Sequence, residues 1–128
     1  MGNNHTNLLV FGVSGAVGSD ATIYPLPGNG SASGTELKIP VARNCTAKNL
    51  YVKMATAPGG SVTDTITVRK NGSDQSLTCS VSASNTTGND TSHTFSVEPG
   101  DELSVKYVSG SGSAAANVVV SFEVEFPQ

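Results

Sequence analysis

The side chains of this chain best suited to catalysis are its thiols and imidazoles. A thiol–imidazole pair, such as Cys79 with His93, is an arrangement used in nucleophilic catalysis. It also needs a group that orients the imidazole and donors that stabilise an oxyanion, and the sequence offers no recognisable segment for either. His93 stands just before an apolar strand pattern, where an imidazole usually has a structural role, and His5 lies in the N-terminal stretch. We therefore expect no catalytic residues and no enzymatic activity.

Other stretches resemble functional motifs only superficially. Residues 12–19, GVSGAVGS, lack the spacing and the strand-to-helix context of a nucleophile elbow. Residues 28–34, GNGSASG, lack the lysine and the following helix of a phosphate-binding loop. Asp101 and Glu102 are an isolated acidic pair, far short of the about six to eight oxygen ligands that Ca²⁺ takes. The sequence predicts neither a metal nor another cofactor.

Cys45 and Cys79 allow a single disulfide, but two thiols in a chain of this size do not make a disulfide framework. Their spacing does not suggest metal ligation. Cys79 shares the apolar side of its predicted strand with Leu77 and Val81, where a thiol acts as a small hydrophobic residue. We predict that both cysteines are reduced.

The composition indicates one β-rich domain. A chain of 128 residues is long enough for its own hydrophobic core, and this one is rich in Ser, Thr, Asn and Gly, which favour strands and turns. Only 13% of the residues are charged, the net charge is −3 and the pI is about 5.1. Nucleic-acid binding requires clustered Lys and Arg, whereas the 7 basic residues here are scattered. We expect neither nucleic acid nor a membrane as a partner.

Residues 1–19, MGNNHTNLLVFGVSGAVGS, admit three interpretations. A signal peptide needs a basic residue before the apolar run, and none is present. The start also matches the N-myristoylation pattern, which requires removal of Met1. The third interpretation is an extended arm whose apolar residues are buried against the domain or a neighbouring subunit: Leu8, Leu9, Val10 and Phe11. We favour the arm, followed by a sandwich over residues 20–128 with its core strands from about residue 20 onward.

Residues 63–82, TDTITVRKNGSDQSLTCSVS, predict a β-hairpin with a two-residue turn at Asn71 and Gly72. Asn and Gly adopt the positive φ angles of such a turn at the lowest cost. The turn implies a register with the pairs Ile66 with Leu77, Val62 with Val81, Thr67 with Ser76, Thr65 with Thr78 and Arg69 with Asp74. One face of the hairpin is then apolar and buried, and the other is polar and exposed.

The hydrophobic pattern of residues 97–103, VEPGDEL, does not fit a tight hairpin. A two-residue Pro-Gly turn would place Phe95 opposite the polar Ser104. A three-residue loop corrects this pattern but opposes Glu98 and Glu102, which carry like charges. We expect the chain to cross between two sheets here. With the other short strands, this predicts an all-β fold, a two-layer antiparallel sandwich of jelly-roll type.

Four motifs in this order resemble the tumour-necrosis-factor-like jelly roll, a family shared with the globular heads of complement proteins and with many small virion proteins of tailed bacteriophages. They are the strand NLYVKM, a strand ending in RKNG, a strand entering VEPGDEL and the C-terminal apolar strand VVVSFEVEF. The resemblance covers roughly residues 37–126. The Ser- and Thr-rich run TITVRKNGSDQSLTCSVS is most similar to the phage members.

The resemblance implies that the RKNG hairpin joins neighbouring strands of an outer sheet and that NVVVSFEVEF lies centrally in an inner sheet. It also implies a homotrimer whose inner sheets pack around a threefold axis. On the strand pattern, the residues facing this axis are Tyr51, Lys53, Ser121 and Glu123, and the opposite side forms the core with Val118, Val120, Phe122, Val124 and Phe126. This axial face is more polar than the aromatic-rich interface of soluble family cytokines.

The function that the resemblance implies is a structural role in a bacteriophage virion. The leading interpretation is a trimeric capsid decoration protein that lies on the capsid surface, binds the major capsid protein and stabilises the head. Its anchors to the capsid or to a sister subunit would be Leu8, Leu9, Val10 and Phe11. The alternative is a receptor-binding or fibre-tip module of a phage tail, in which exposed loops such as ASNTTGND bind host-surface saccharide. A complement-like secreted domain is disfavoured, because collagen-like repeats and a secretion signal are missing.

Overall fold

The computed structural model of the protein describes residues 5–28 and 34–127, and the regular structure in these ranges is entirely β-strand. Residues 1–4 of the predicted arm, residues 29–33 and residue 128 lie outside the described part. The strands are β1 (His5–Ala16), β2 (Thr22–Ile23), β3 (Leu26–Pro27), β4 (Ile39–Pro40), β5 (Cys45–Thr56), β6 (Thr63–Lys70), β7 (Ser73–Ser82), β8 (Thr87–Asp90), β9 (Phe95–Val97), β10 (Glu102–Val108) and β11 (Ala116–Phe126).

The strands form two antiparallel sheets that pack as a β-sandwich, so the predicted all-β, two-sheet architecture is confirmed. The first sheet has the order β3-β1-β11-β5-β8, with β9 also paired to β5. The second sheet has the order β2-β10-β6-β7, with β4 also paired to β10. The chain passes from the first sheet to the second between β9 and β10, as the pattern of residues 97–103 predicted.

The predicted hairpin forms, but its register holds only near the turn. Asn71 and Gly72 have φ angles of 53° and 79°, and Arg69 pairs with Asp74 as expected. An irregularity between Thr67 and Arg69 then moves the pairing by two residues. The other predicted pairs are therefore wrong, and the observed partners are Thr67 with Thr78, Ile66 with Cys79, Thr65 with Ser80 and Asp64 with Val81. Because side chains alternate with a period of two, the shift leaves Ile66, Leu77 and Val81 on the buried face.

The core lies between the sheets and includes the predicted inward face of β11. Phe122 is fully buried and stacks on Phe11 of β1, with ring centroids 5.8 Å apart. The remaining residues of that face are also buried, except for a partly buried Phe126 at the end of the strand: Val118, Val120 and Val124. Since β1 and β11 pair over most of their length, this contact ties the first strand to the last.

Residues 5–16, which the sequence analysis assigned to an extended arm, form β1 within the first sheet. Phe11 is fully buried and Leu9 is partly buried against the core, whereas Leu8 and Val10 point to the opposite side. The expectation that the core strands begin near residue 20 is wrong, because Phe11, Val13 and Val17 all belong to the core. The reason is that residues 8–13 alternate between the two faces, although nearly all of them are apolar.

A buried carboxylate, which the sequence did not indicate, holds the loop between β10 and β11. Asp64 is fully buried and accepts hydrogen bonds from the Tyr107 hydroxyl (2.5 Å), the Ser113 hydroxyl (2.7 Å) and the Gly110 amide (2.9 Å). Burial raises the pKa of Tyr107, and the neighbouring Asp64 raises it further. The phenol therefore stays a proton donor to this carboxylate.

Candidate functional site on the outer face of the first sheet

The strand pairing brings the four residues predicted to face a threefold axis onto one surface. Ser121 at the centre of β11 lies opposite Tyr51 of β5 on one side and opposite Val10 of β1 on the other. Val119 lies opposite Lys53, and Glu123 lies opposite Leu8. We call this surface the outer face of the first sheet; it consists of Leu8, Val10, Tyr51, Lys53, Val119, Ser121 and Glu123.

This surface is unusual because large apolar side chains are exposed on it side by side. Leu8 is 60% exposed, Tyr51 and Val119 are each 52% exposed, and Val10 is 37% exposed. These four are most of the large exposed apolar side chains in the described part of the chain, and the others are Leu37 and Val108. Grouped apolar exposure of this kind marks an interaction surface more often than single exposed residues do.

Tyr51 stands between two shallow depressions of this surface. One, of about 380 Å³, is bounded by Tyr51, Lys53, Val119 and the strand β8. The other, of about 250 Å³, lies towards Leu8 and Glu123. An exposed tyrosine flanked by hollows suits protein–protein contact, in which tyrosine is enriched as an anchor residue.

The two charged residues of the outer face have no ion-pair partner among the described residues. Glu123 accepts a hydrogen bond from the side-chain amide of Asn49 at 2.6 Å. The neighbouring Lys48 pairs instead with Glu125 at 3.2 Å, and Lys53 forms no described ion pair. The face therefore presents one cation and one anion that remain available to a partner.

The corresponding surface of the second sheet is different, because several of its charges are paired within the chain. Arg69 lies 3.1 Å from Asp74, as the sequence predicted, and 3.6 Å from Glu36. Asp74 also forms an ion pair with Lys106 at 2.6 Å. This contrast favours the first sheet as the interaction surface.

The structure supplies an orienting carboxylate for His93 that the sequence analysis did not find. Asp90 lies 2.8 Å from His93 Nδ1 and also accepts hydrogen bonds from the amides of Thr78, Ser92 and His93. Burial raises the pKa of Asp90, but these hydrogen bonds outweigh it and lower the pKa to about 2. The spacing of an Asp three residues before the His was the available signal.

The thiols have little nucleophilic character in this arrangement. Burial, followed by the charge of Asp90, raises the pKa of Cys79 to about 11, so the residue is a thiol at neutral pH. Cys45 is also buried and free, and burial raises its pKa. Cys79 and His93 therefore do not make an activated pair.

Of the two acidic residues considered for calcium, Asp101 forms hydrogen bonds within the turn through its side chain, and Glu102 does so through its backbone amide. The Asp101 carboxylate accepts hydrogen bonds from the Glu98 amide at 2.8 Å and the Asn71 side chain at 2.9 Å, while the Glu102 amide donates to Asn71. Within residues 5–28 and 34–127, no group of three or more His, Cys, Asp or Glu side chains is arranged to hold a metal ion.

No helix in the described ranges is long and apolar enough to cross a bilayer. No protein-family model matches the chain. No curated protein matches it either.

Proposed function

We propose that this protein is a structural protein of a tailed-bacteriophage virion, a homotrimer that decorates and stabilises the capsid. The observation that carries the proposal is the outer face of the first sheet, where Leu8, Val10, Tyr51 and Val119 are exposed next to one another. The resemblance of the four sequence motifs to phage virion members supports the capsid part of the proposal. The role is structural and not catalytic, and the protonated, buried thiol of Cys79 supports this part.

The strand order supports a jelly roll of the tumour-necrosis-factor-like type. The short strands β2 to β4 occupy the place of one strand, and so do β8 and β9, which leaves about eight strands as in a jelly roll. Counted in this way, β1 pairs with β11, and the segment β2 to β4 pairs with β10. The strand β5 pairs with the segment β8 to β9, and β6 pairs with β7. An antiparallel ribbon wound into a sandwich gives this pairing; β3, which pairs with β1, is the exception.

The apolar pattern of two strands supports burial of both sides of the first sheet. In β1 the run Leu8 to Phe11 and in β11 the shorter run Val118 to Val120 are apolar on both faces, whereas residues 121–126 of β11 alternate with polar residues. A strand with apolar residues on both faces is typical of a sheet covered on both sides. One side is covered by the second sheet, and a sister subunit covers the other.

Burial of the outer face offers a moderate free energy of assembly for each subunit. Full burial of a large apolar side chain contributes about 1.5 to 3 kcal/mol. Since the four apolar side chains are already partly buried, each gains roughly 1 kcal/mol on assembly. Three such faces contribute about 12 kcal/mol together, which lies within the range of about 8 to 30 kcal/mol that the two association steps of a trimer cost. Simultaneous contacts of three subunits strengthen capsid binding by effective concentration.

Of the four residues proposed as anchors, the fold uses two for the core. Phe11 is fully buried and Leu9 is partly buried, whereas Leu8 and Val10 are exposed. In this proposal Leu8 and Val10 therefore contact the sister subunit or the capsid, and Leu9 and Phe11 hold β1 in position.

The proposal is tested by placing a glutamate on the outward side of the first sheet and, in a separate variant, on the outward side of the second sheet. Val119 lies on the outer face of the first sheet, and Val108, also on a strand, is an exposed valine of the second sheet. Sedimentation equilibrium at tens of micromolar protein should give a trimer for the wild type and for Val108→Glu, and a monomer for Val119→Glu. A monomeric wild type, or equal behaviour of the two variants, would contradict the trimer.

The capsid part is tested separately with particles that lack the protein. Wild-type protein and Val108→Glu should bind such particles at saturable occupancy, and Val119→Glu should bind far less at the same concentration. Absence of wild-type binding to heads, with binding to tails or to host-surface saccharide, would contradict the decoration role.

A further inference from the structure

An apolar cleft opens at the end of the sandwich, away from the outer face of the first sheet. Residues of β1 and β11 form one wall with side chains that point towards the core: Leu9, Val124 and Phe126. The segment around β4 forms the other wall with Ile39, Pro40 and Val41, and Asn7, Ala42 and Arg43 lie at the rim. We call this feature the Arg43 cleft.

The size of the Arg43 cleft fits one bulky side chain. Its volume is about 230 Å³. Pockets for drug-sized ligands are larger, about 300 to 1,000 Å³. A pocket that receives a single apolar side chain is the usual form of an anchor site in a protein–protein interface.

Cations beside the cleft define the charge of the partner. The Arg43 guanidinium lies over the Phe126 ring, 5.4 Å from its centroid, and this contact holds the cation beside the apolar wall. Neither Arg43 nor Lys38, which directly precedes the wall residue Ile39, forms an ion pair with a described residue. In a chain with a net charge of −3, Arg43 is thus a positive group at the rim of the cleft without an ion-pair partner among the described residues, whereas Lys38 is placed near the cleft only as the sequence neighbour of the wall residue Ile39.

We propose that the Arg43 cleft binds a partner protein through an apolar side chain flanked by carboxylates, that is, an acidic peptide segment with one aromatic or large aliphatic anchor. The anchor fills the space between Leu9, Ile39 and Phe126, and a flanking carboxylate pairs bidentately with the Arg43 guanidinium. Charge complementarity decides between acidic and basic segments, since a basic flank would face Arg43 with a like charge.

This inference goes beyond the proposed trimer and does not depend on it. The cleft is lined by inward-pointing residues of β1 and β11, whereas the outer face consists of the outward-pointing residues of the same strands. Loss of the trimer in Val119→Glu therefore leaves the cleft in place, and the two proposals can fail separately.

The probes are three short blocked peptides added to the isotope-labelled full chain and followed by amide NMR: acetyl-Glu-Phe-Glu-amide, acetyl-Lys-Phe-Lys-amide and acetyl-Glu-Gly-Glu-amide. The first should shift the resonances of residues 39–43 and 124–126. The basic peptide should bind about two- to fivefold more weakly, since an exposed ion pair changes binding by a factor in this range. The peptide without an anchor should also bind more weakly, because it has no apolar side chain to bury in the cleft.

Charge reversal at the cleft gives the decisive comparison. Arg43→Glu should reverse the preference, so that the basic peptide binds more tightly than the acidic one, and Arg43→Gln should remove the preference. The matched control is Lys70→Glu, because Lys70 also lies over a phenylalanine ring, that of Phe95 at 5.9 Å, but does not line the cleft. The control should keep the wild-type preference.

The inference is overturned if the acidic peptide shifts no resonance of the cleft at millimolar concentration. It is also overturned if the acidic and basic peptides bind equally, or if Arg43→Glu and Lys70→Glu behave alike. The dispersion of the amide spectrum of each variant shows whether it is folded, and Arg43→Gln serves as the test if the reversed charge disturbs the fold.

Discussion

Replacing Asp64 with alanine should lower the free energy of unfolding by about 3 kcal/mol. The substitution leaves the hydroxyl of the fully buried Tyr107 without an acceptor, which costs about 1 to 3 kcal/mol. The Gly110 amide and the Ser113 hydroxyl are only partly buried and lose about 0.5 to 1.5 kcal/mol each. The three losses sum to about 2 to 6 kcal/mol. The substitution also removes the cost of burying the carboxylate, which offsets part of this sum, so we expect a value of about 3 kcal/mol.

The double variant with Tyr107→Phe identifies the hydrogen bond as the cause. When the hydroxyl is also removed, no buried donor is stranded, so Asp64→Ala should cost about 1 to 3 kcal/mol less in the Tyr107→Phe background than in the wild type. The assay is urea unfolding followed by far-ultraviolet circular dichroism at one fixed protein concentration, because assembly stabilises the folded state.

Two results would refute this reasoning. A cost below about 1 kcal/mol for Asp64→Ala would show that water replaces the carboxylate at this site. Additive effects of the two substitutions would show that the 2.5 Å contact between Tyr107 and Asp64 does not couple them.

The remaining predictions concern packing, pH and thiol reactivity. Gly88→Ala should destabilise by about 1 to 3 kcal/mol in urea unfolding, because a Cβ there would lie 3.0 Å from a backbone oxygen of β7, whereas Gly34→Ala, in open space, should be nearly neutral. The pKa of Asp90 is lowered from 3.8 to about 2, so its contribution to stability is complete above 3.8 and is lost as the pH falls towards 2. Asp90→Asn should flatten that part of the pH profile of the thermal midpoint, and a profile unchanged by the substitution would contradict the assignment. Cys45 and Cys79 are buried and free, and should resist alkylation at neutral pH in the native protein and take up label on unfolding; absence of label after unfolding without reductant would indicate a disulfide.

The sequence predicted the parts of the fold in which side-chain alternation is clear. The inward face of β11 and the change of sheet at residues 97–103 both followed from a period of two. The predicted turn at Asn71 and Gly72 also formed, because these residues adopt its positive φ angles at the lowest cost. The register failed beyond Arg69, since three residues of β7, 75–77, stand opposite the single Val68 of β6, and no Gly or Pro marks this irregularity.

The role of β1 could not be predicted from its pattern, because an apolar run shows no alternation even when the strand has two different faces. Leu8 and Val10 look like Leu9 and Phe11 in sequence, yet they point to opposite sides of the sheet. Hydrogen bonds between residues far apart in sequence could not be predicted for a different reason. Tyr107 reaches Asp64 across 43 residues, and no local pattern pairs a phenol with an aspartate so far away.

The candidate site was predicted in part. The positions of Tyr51, Lys53, Ser121 and Glu123 on one face follow from strand alternation, and the pairing of β11 with β5 brings them together. Leu8 and Val10 were missed because their place on the face depends on β1 lying beside β11, which no local pattern indicates. Val119 was missed although alternation along β11 places it on the same side as Ser121.

An electron cryomicroscopy map of the virion proposed to carry this protein would test the decoration role without any substitution. We expect trimers on the outside of the capsid, with the outer faces of the three first sheets turned towards a common axis and Tyr51 and Val119 covered by a sister subunit. A map in which the protein is absent from the head, or in which these residues face solvent, would contradict this role.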